Sequence, residues 1–140
     1  LESALKMGET IHIPSCCYEI EEYIHGPNLQ LTPQYNVIFF DGNDGASRRV
    51  EQVYKATRKV TNRAYLISNN PQLSRDGHVL SLSDTVSSEL SPLVYLPFVQ
   101  LLSFIVSNDL HSIYQHPLLK EFKAIAAAKT ENFVNYDGDD

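Results

Sequence analysis

The sequence predicts an α/β fold, a parallel sheet flanked by helices, on three observations. Short apolar runs stand at 36–40, 64–68 and 78–82, set off by turn-forming residues, as expected of strands buried in a parallel sheet. An amphipathic helical pattern fills 47–60, between the first two runs. Strand, helix and strand in that order imply a right-handed parallel crossover. A long helix at 90–109 is apolar nearly all round and so requires cover on more than one side.

The elements follow in order. Ala4, Leu5, Lys6, Met7 and Glu9 are good helix formers. Ala4, Leu5, Gly8, Ile11 and His12 fall on or near one face of that first helix. Pro14 is expected to end it, because proline biases the preceding residue away from helix. A polar-aromatic segment leads to the turn His25-Gly26-Pro27. After a polar connection and the first strand comes the loop Asp41-Gly42-Asn43-Asp44-Gly45. In the 47–60 helix Val50, Val53, Tyr54 and Thr57 share one face, with Arg48, Arg49, Glu51, Lys55 and Arg58 elsewhere. Asn69-Asn70-Pro71 closes the second strand and Gly77 precedes the third. Ser87 or Ser88 is the expected cap of the last helix, with Glu89 in its first turn. Leu93, Leu96, Pro97, Gln100, Leu101, Phe104 and Ile105 form its expected main stripe, and Val94, Phe98, Leu102 and Val106 complete its apolar surface. Pro97 should kink or break it, and Gln100 needs a hydrogen-bond partner if buried. Residues 110–140 form a tail with a short helical piece through Ala128 and an acidic end.

Composition narrows the class. A chain of 140 residues, 43% hydrophobic and 20% charged, suits one globular domain with one core. The net charge of −6 argues against a nucleic-acid partner, which requires a basic patch. No apolar run is read here as long enough to span a membrane, and no signal peptide is seen, so no membrane partner is expected. The two cysteines are adjacent, Cys16 and Cys17. They make no disulfide framework, which points to a reducing cytoplasm, and both are expected to be small buried residues. With His12 they offer too few ligands for a metal site. The 41–45 loop superficially resembles a calcium loop, but its glycine is at the fifth position and Gln52 stands where a bidentate glutamate is needed. No metal or cofactor is expected. The one methionine is Met7, inside the first helix, and the pattern starts mid-element, so the expectation is a piece of a longer protein.

The first stretch carries a family resemblance. Glu2-x-Ala4-Leu5-Lys6-x-x-Glu9, followed by His25-Gly26-Pro27, resembles the second half of a sugar isomerase (SIS) module. The likeness is greatest to the isomerase part of glucosamine-6-phosphate synthase and to fructosamine-phosphate deglycases, whose runs align here without a gap. Between the two motifs Ser15, Cys16, Cys17 and Ile20 stand where small or acidic residues are usual. The run from Ser91-Pro92-Leu93 through Gln100-Leu101-Leu102 is also similar to the final helix of such modules. The resemblance implies a three-layer, Rossmann- or flavodoxin-like fold over residues 1–140, here as the C-terminal part of a SIS domain lacking its first strand.

It also implies a function. The resembling enzymes use the glutamate, here Glu9, to move a proton between C1 and C2 of an open-chain sugar phosphate. They use the histidine, here His25, to open the sugar ring, contributed across a subunit interface. A carboxylate and an imidazole are the common proton-transfer groups near neutral pH. A lysine near the C-terminus sometimes forms a Schiff base. Lys120, Lys123 and Lys129 are the candidates here, with Lys129 taken as substrate-binding. The implied activity is phosphosugar isomerisation, deglycation or aminotransferase-like chemistry on ketose, aldose or amino-sugar 6-phosphates. The implied partners are the sugar phosphate, a second SIS module and a further subunit. The alternative is a regulatory SIS module that only senses a sugar phosphate. The phosphate-binding Ser/Thr loop of the family is not matched. Ser81-x-Ser83-Asp84-Thr85 comes nearest but lacks the glycine that lets backbone amides approach a phosphate. Outside the resemblance, Glu9 reads as a solvated helix carboxylate, His25 as a loop histidine bonded to backbone, and each lysine as solvated.

Overall fold

The computed structural model describes residues 1–82, 87–112 and 125. Its elements are helix α1 (Glu2–Ile11), helix α2 (Ile20–Ile24), strand β1 (Val37–Phe40), helix α3 (Ser47–Thr57), strand β2 (Ala64–Ser68), strand β3 (Val79–Ser81) and helix α4 (Ser91–Leu110). Two 3-10 turns, Pro27–Gln30 and Pro71–Leu73, complete the described regular structure. Among the described residues the sheet has three parallel strands in the order β1-β2-β3. Phe39 pairs with Leu66 and Leu66 with Val79; one step on, Phe40 pairs with Ile67 and Ile67 with Leu80. Side chains alternate along a strand, so the sheet has a Phe39/Leu66/Val79 face and a Phe40/Ile67/Leu80 face.

The first face holds the core. Phe39, Leu66 and Ala64 pack against Val50, Val53 and Tyr54 of α3. The predicted α3 face of Val50, Val53, Tyr54 and Thr57 is the buried set. Phe39 meets Tyr54 edge-on, ring centroids 6.1 Å apart, and Tyr23 of α2 at 5.9 Å, the arrangement that aromatic quadrupoles favour. Burial of each such side chain is worth about 1.5–3 kcal/mol, so this cluster dominates the stability of the described fold. The short helix α2 was not foreseen in the polar-aromatic segment. A capping box forms it: Glu19 accepts from the backbone of Glu21 and Glu22, and Glu22 accepts from the N–H of Glu19. Ile20, Tyr23 and Ile24 then lie against the core.

The second face is met by α4. Phe40 and Tyr95 pack ring to ring at 5.7 Å, the Tyr95 hydroxyl donates to the carbonyl of Asp41, and α1 lies along α4. The result is three layers, α2 and α3 on one side of the sheet and α4 with α1 on the other. Helix α4 runs through Pro97 as one helix, so of the expected kink or break the break does not occur. Its orientation also corrects the sequence reading. The buried residues are Ser91, Tyr95, Val99, Ser103 and Ser107, spaced by four, and the expected main stripe faces outward, with Leu93 67%, Leu101 58% and Phe104 64% exposed. Gln100 is exposed and has no burial to offset. Small serines let α1 come close: the Ser103 hydroxyl is 3.9 Å from the Met7 sulfur, and Ser107 returns its hydroxyl to the carbonyl of Phe104 at 3.1 Å. The helix is capped at Leu90 without a side-chain bond, although Ser91 donates to the carbonyl of Ser88 at 2.9 Å.

Two further expectations change. Helix α4 is, by length and composition, long and apolar enough to cross a membrane, at 20 residues and mean hydropathy 1.5, contrary to the reading that no run reaches that length. Cys16 and Cys17 are exposed, not buried, because they lie in the irregular link between α1 and α2, away from the core.

Candidate functional site

Glu9 sits in the last turn of α1. The helix ends two residues later, at Ile11, and its C-cap His12 is left-handed (φ 61°), with Pro14 just beyond; proline is common shortly after such a C-cap. The Glu9 carboxylate accepts from Lys6 Nζ at 3.0 Å across one turn, and Glu2 stands 3.6 Å from the same ammonium. The hydrogen bond to Glu9 is the main cause that raises the Lys6 pKa. Both partners are solvent-exposed, so the pair orients Glu9 and adds little stability.

His25 caps α2. Its backbone N–H donates to the carbonyl of Glu22 at 3.2 Å, and its side chain is exposed. Gly26 and Pro27 turn the chain into the 3-10 turn Pro27–Gln30, as the Gly-Pro pair predicts. The backbone thus holds His25 at a fixed corner, bordered by a helix cap on one side and proline on the other.

The structure does not bring these two groups together. Helix α1 packs on α4, with the Ser112 hydroxyl donating to the carbonyl of Thr10 at 2.6 Å. Helix α2 packs on α3, where Arg49 grips Glu21 at 2.8 Å. Glu9 and His25 therefore belong to layers on opposite faces of the sheet, and among the described residues no hydrogen bond or ion pair joins them. Lys120, Lys123 and Lys129 lie outside the described residues, as do Ser83, Asp84 and Thr85 of the nearest phosphate-loop candidate. Among the described residues no group of three His, Cys, Asp or Glu side chains could hold a metal ion.

A cleft of about 410 Å³ opens elsewhere, lined by Asp41, Asn43, Ser47, Arg48, Glu51, Asn69, Asn70 and Pro71. It lies at the carboxyl ends of β1 and β2, where ligands of open α/β sheets bind. Asp41, 6% exposed, is fixed at its base. One carboxylate oxygen accepts from the Ser68 hydroxyl at 2.7 Å and the other from the Asn43 N–H at 3.0 Å. Ser68 also accepts from the Asn70 N–H at 3.0 Å, and the Asn70 amide donates to Glu51 at 3.3 Å. Sequence reading marked both loops as strand ends but named no site residue in them. The available signal was three asparagines and an aspartate directly after two adjacent strands.

No family model matches the chain, and no curated protein matches it. Among solved structures it is similar to one provisionally named a phosphosugar isomerase, from Clostridium difficile 630, at 22% identity and a TM-score of 0.73. The match covers 86% of this chain and 34% of that one, so the chain spans about a third of the length of this neighbour. The likeness establishes the fold.

Proposed function

We propose that the chain is the C-terminal SIS module of a phosphosugar isomerase-type enzyme. Its substrates are ketose, aldose or amino-sugar 6-phosphates, and its chemistry is isomerisation, deglycation or an aminotransferase-like variant. The observation that carries this reading is a coincidence of two independent signals. The Glu2-x-Ala4-Leu5-Lys6-x-x-Glu9 and His25-Gly26-Pro27 motifs occur in a chain whose fold overlays on a protein named for that chemistry.

In this reading His25 protonates the ring oxygen and accepts the hydroxyl proton as the sugar ring opens. Glu9 then takes the C2 or C1 proton and returns it to the neighbouring carbon, while the hydroxyl proton passes between O1 and O2, so that carbonyl and hydroxyl exchange places. An exposed carboxylate at the end of α1, with a lysine as its helix partner, is free to swing from Lys6 to a substrate. A proton-transfer group must reach its proton directly or through one water. Glu9 and His25 stand on opposite layers, so each is read as half of a composite site, completed by a second SIS module and a further subunit. Lys129 is assigned to substrate binding. The free exposed cysteines suit a reducing cytoplasm. Helix α4 is assigned to packing against the neighbouring module, because an apolar surface of this size signals an interaction site.

The phosphate cradle is placed in the other module, and phosphate contacts position the reacting carbons. The test compares these 140 residues with the longer parent protein on fructose 6-phosphate, glucosamine 6-phosphate and a fructosamine 6-phosphate. Turnover by the parent and none by the isolated chain is expected. Equal turnover by both would show that the site is complete in this chain, and turnover by neither would remove the substrate class.

A further inference from the structure

We infer that the cleft at the carboxyl ends of β1 and β2 is a second ligand site, separate from Glu9, and that it takes a monosaccharide-sized polyhydroxylated ligand carrying at most one negative charge. Separation follows from the layout of α4. Tyr95 anchors its first turns to the carbonyl of Asp41, beside the cleft. Met7 lies against Ser103 and Thr10 against Ser112, so Glu9 is level with the far end of the same helix. From Tyr95 to Ser103 is roughly 12 Å along the axis, at 1.5 Å per residue.

The lining selects the ligand class. Its volume of about 410 Å³ falls in the range of small-molecule sites. No aromatic ring lines it and Pro71 is its apolar element, which disfavours flat or greasy ligands. Asp41 and Glu51 are offset by Arg48 and by Lys55, which pairs with Glu51, so the lining has no net positive charge to attract a multiply charged anion. Asn70 and Glu51 are already oriented by each other, Asn70 also by its backbone N–H to Ser68 and Glu51 by Lys55, and Ser47 and Arg48 come from the first turn of α3. Amides, a hydroxyl and a carboxylate held close together both donate and accept hydrogen bonds, as each hydroxyl of a sugar does. Such a pre-oriented set loses little freedom on binding. Arg48 is exposed, and among the described residues no ion pair occupies it. It is the group that would take a single carboxylate or monoanionic ester at the mouth.

The test is a titration of the 140-residue chain with D-fructose, neutral, and D-gluconate, one carboxylate, followed by backbone-amide NMR. Saturable shifts are expected at Asn43, Ser47 and Asn70 with both probes. Arg48→Gln, an exposed change, should weaken gluconate about tenfold, the loss of one charge-assisted contact, and leave fructose unchanged. Glu51→Gln should weaken both. Absence of saturable shifts at those amides, or an equal effect of Arg48→Gln on both probes, overturns the proposal. The readout is local and needs no turnover, so its failure leaves the Glu9 and His25 reading standing, and the reverse also holds.

Discussion

Helices α3 and α4 flank the same sheet and obey opposite rules. Helix α3 buries Val50, Val53, Tyr54 and Thr57 and turns its charges outward. Helix α4 buries three serines, a tyrosine and a valine, and exposes Leu93, Leu101, Phe104 and Ile105. The difference shows what a hydrophobic pattern can decide. Where one face is polar, periodicity names the buried side; where a helix is apolar all round, close fit to a neighbour decides, and serines against Met7 fit α1 more closely than leucines would.

The largest effect should come from the face that obeys periodicity. Tyr54→Ala removes a side chain 1% exposed and should cost about 3–5 kcal/mol, as for other buried aromatics, measured by urea unfolding. If its cost is no larger than that of a surface change, the α3 core is misassigned.

Tyr54→Phe is the finer cut. The Tyr54 hydroxyl donates to Asp76 at 2.8 Å, and its loss should cost about 1 kcal/mol. Burial, then the Asp76 carboxylate, raises the Tyr54 pKa. The bond to the His78 N–H, then the Tyr54 hydroxyl, lowers that of Asp76. A raised tyrosine stabilises the fold fully below its unfolded value of about 10 and loses that contribution as pH rises beyond it. A lowered aspartate stabilises above its unfolded value of about 3.9 and loses the contribution as pH falls below it. Stability should therefore decline at both extremes, and Tyr54→Phe should flatten the alkaline limb and shrink the acid one. An unchanged alkaline limb would contradict the assignment.

The smallest effect on folding should come from the outward face of α4. Leu101→Gln and Phe104→Gln together should shift the stability of the isolated chain by no more than about 0.5 kcal/mol for each site. They should nonetheless reduce association in sedimentation, since the exposed apolar surface is read as an interface. A large loss of stability would show that this face is covered within the chain.

Much of the fold was legible. The strands fell within one residue of their expected limits because turn residues bracket each run, and the α3 face was read correctly because Arg48, Glu51, Lys55 and Arg58 mark its wet side. Other features were less visible. A capping box at Glu19 and Glu22 made α2 where composition showed only polarity, and Cys16 and Cys17 stayed in solvent because they lie in the irregular link between α1 and α2, outside the core. For the candidate site, the family resemblance nominated Glu9 and His25, but proximity along a chain does not fix distance across a sheet, and the two stand on opposite faces. The cleft went unread because its residues come from two loops 28 positions apart, Asp41 and Asn69, joined only by strand pairing.

Glu9 is proposed as the base of a sugar-phosphate proton transfer. The most direct measurement is exchange of the C1 or C2 proton of fructose 6-phosphate with deuterated solvent, in the longer parent protein and its Glu9→Gln variant, with phosphate-ester binding checked in both. The parent should exchange the proton, and the variant should still bind but exchange only at the background rate. Exchange by the variant at the parent rate would contradict it and leave Glu9 a surface carboxylate paired with Lys6.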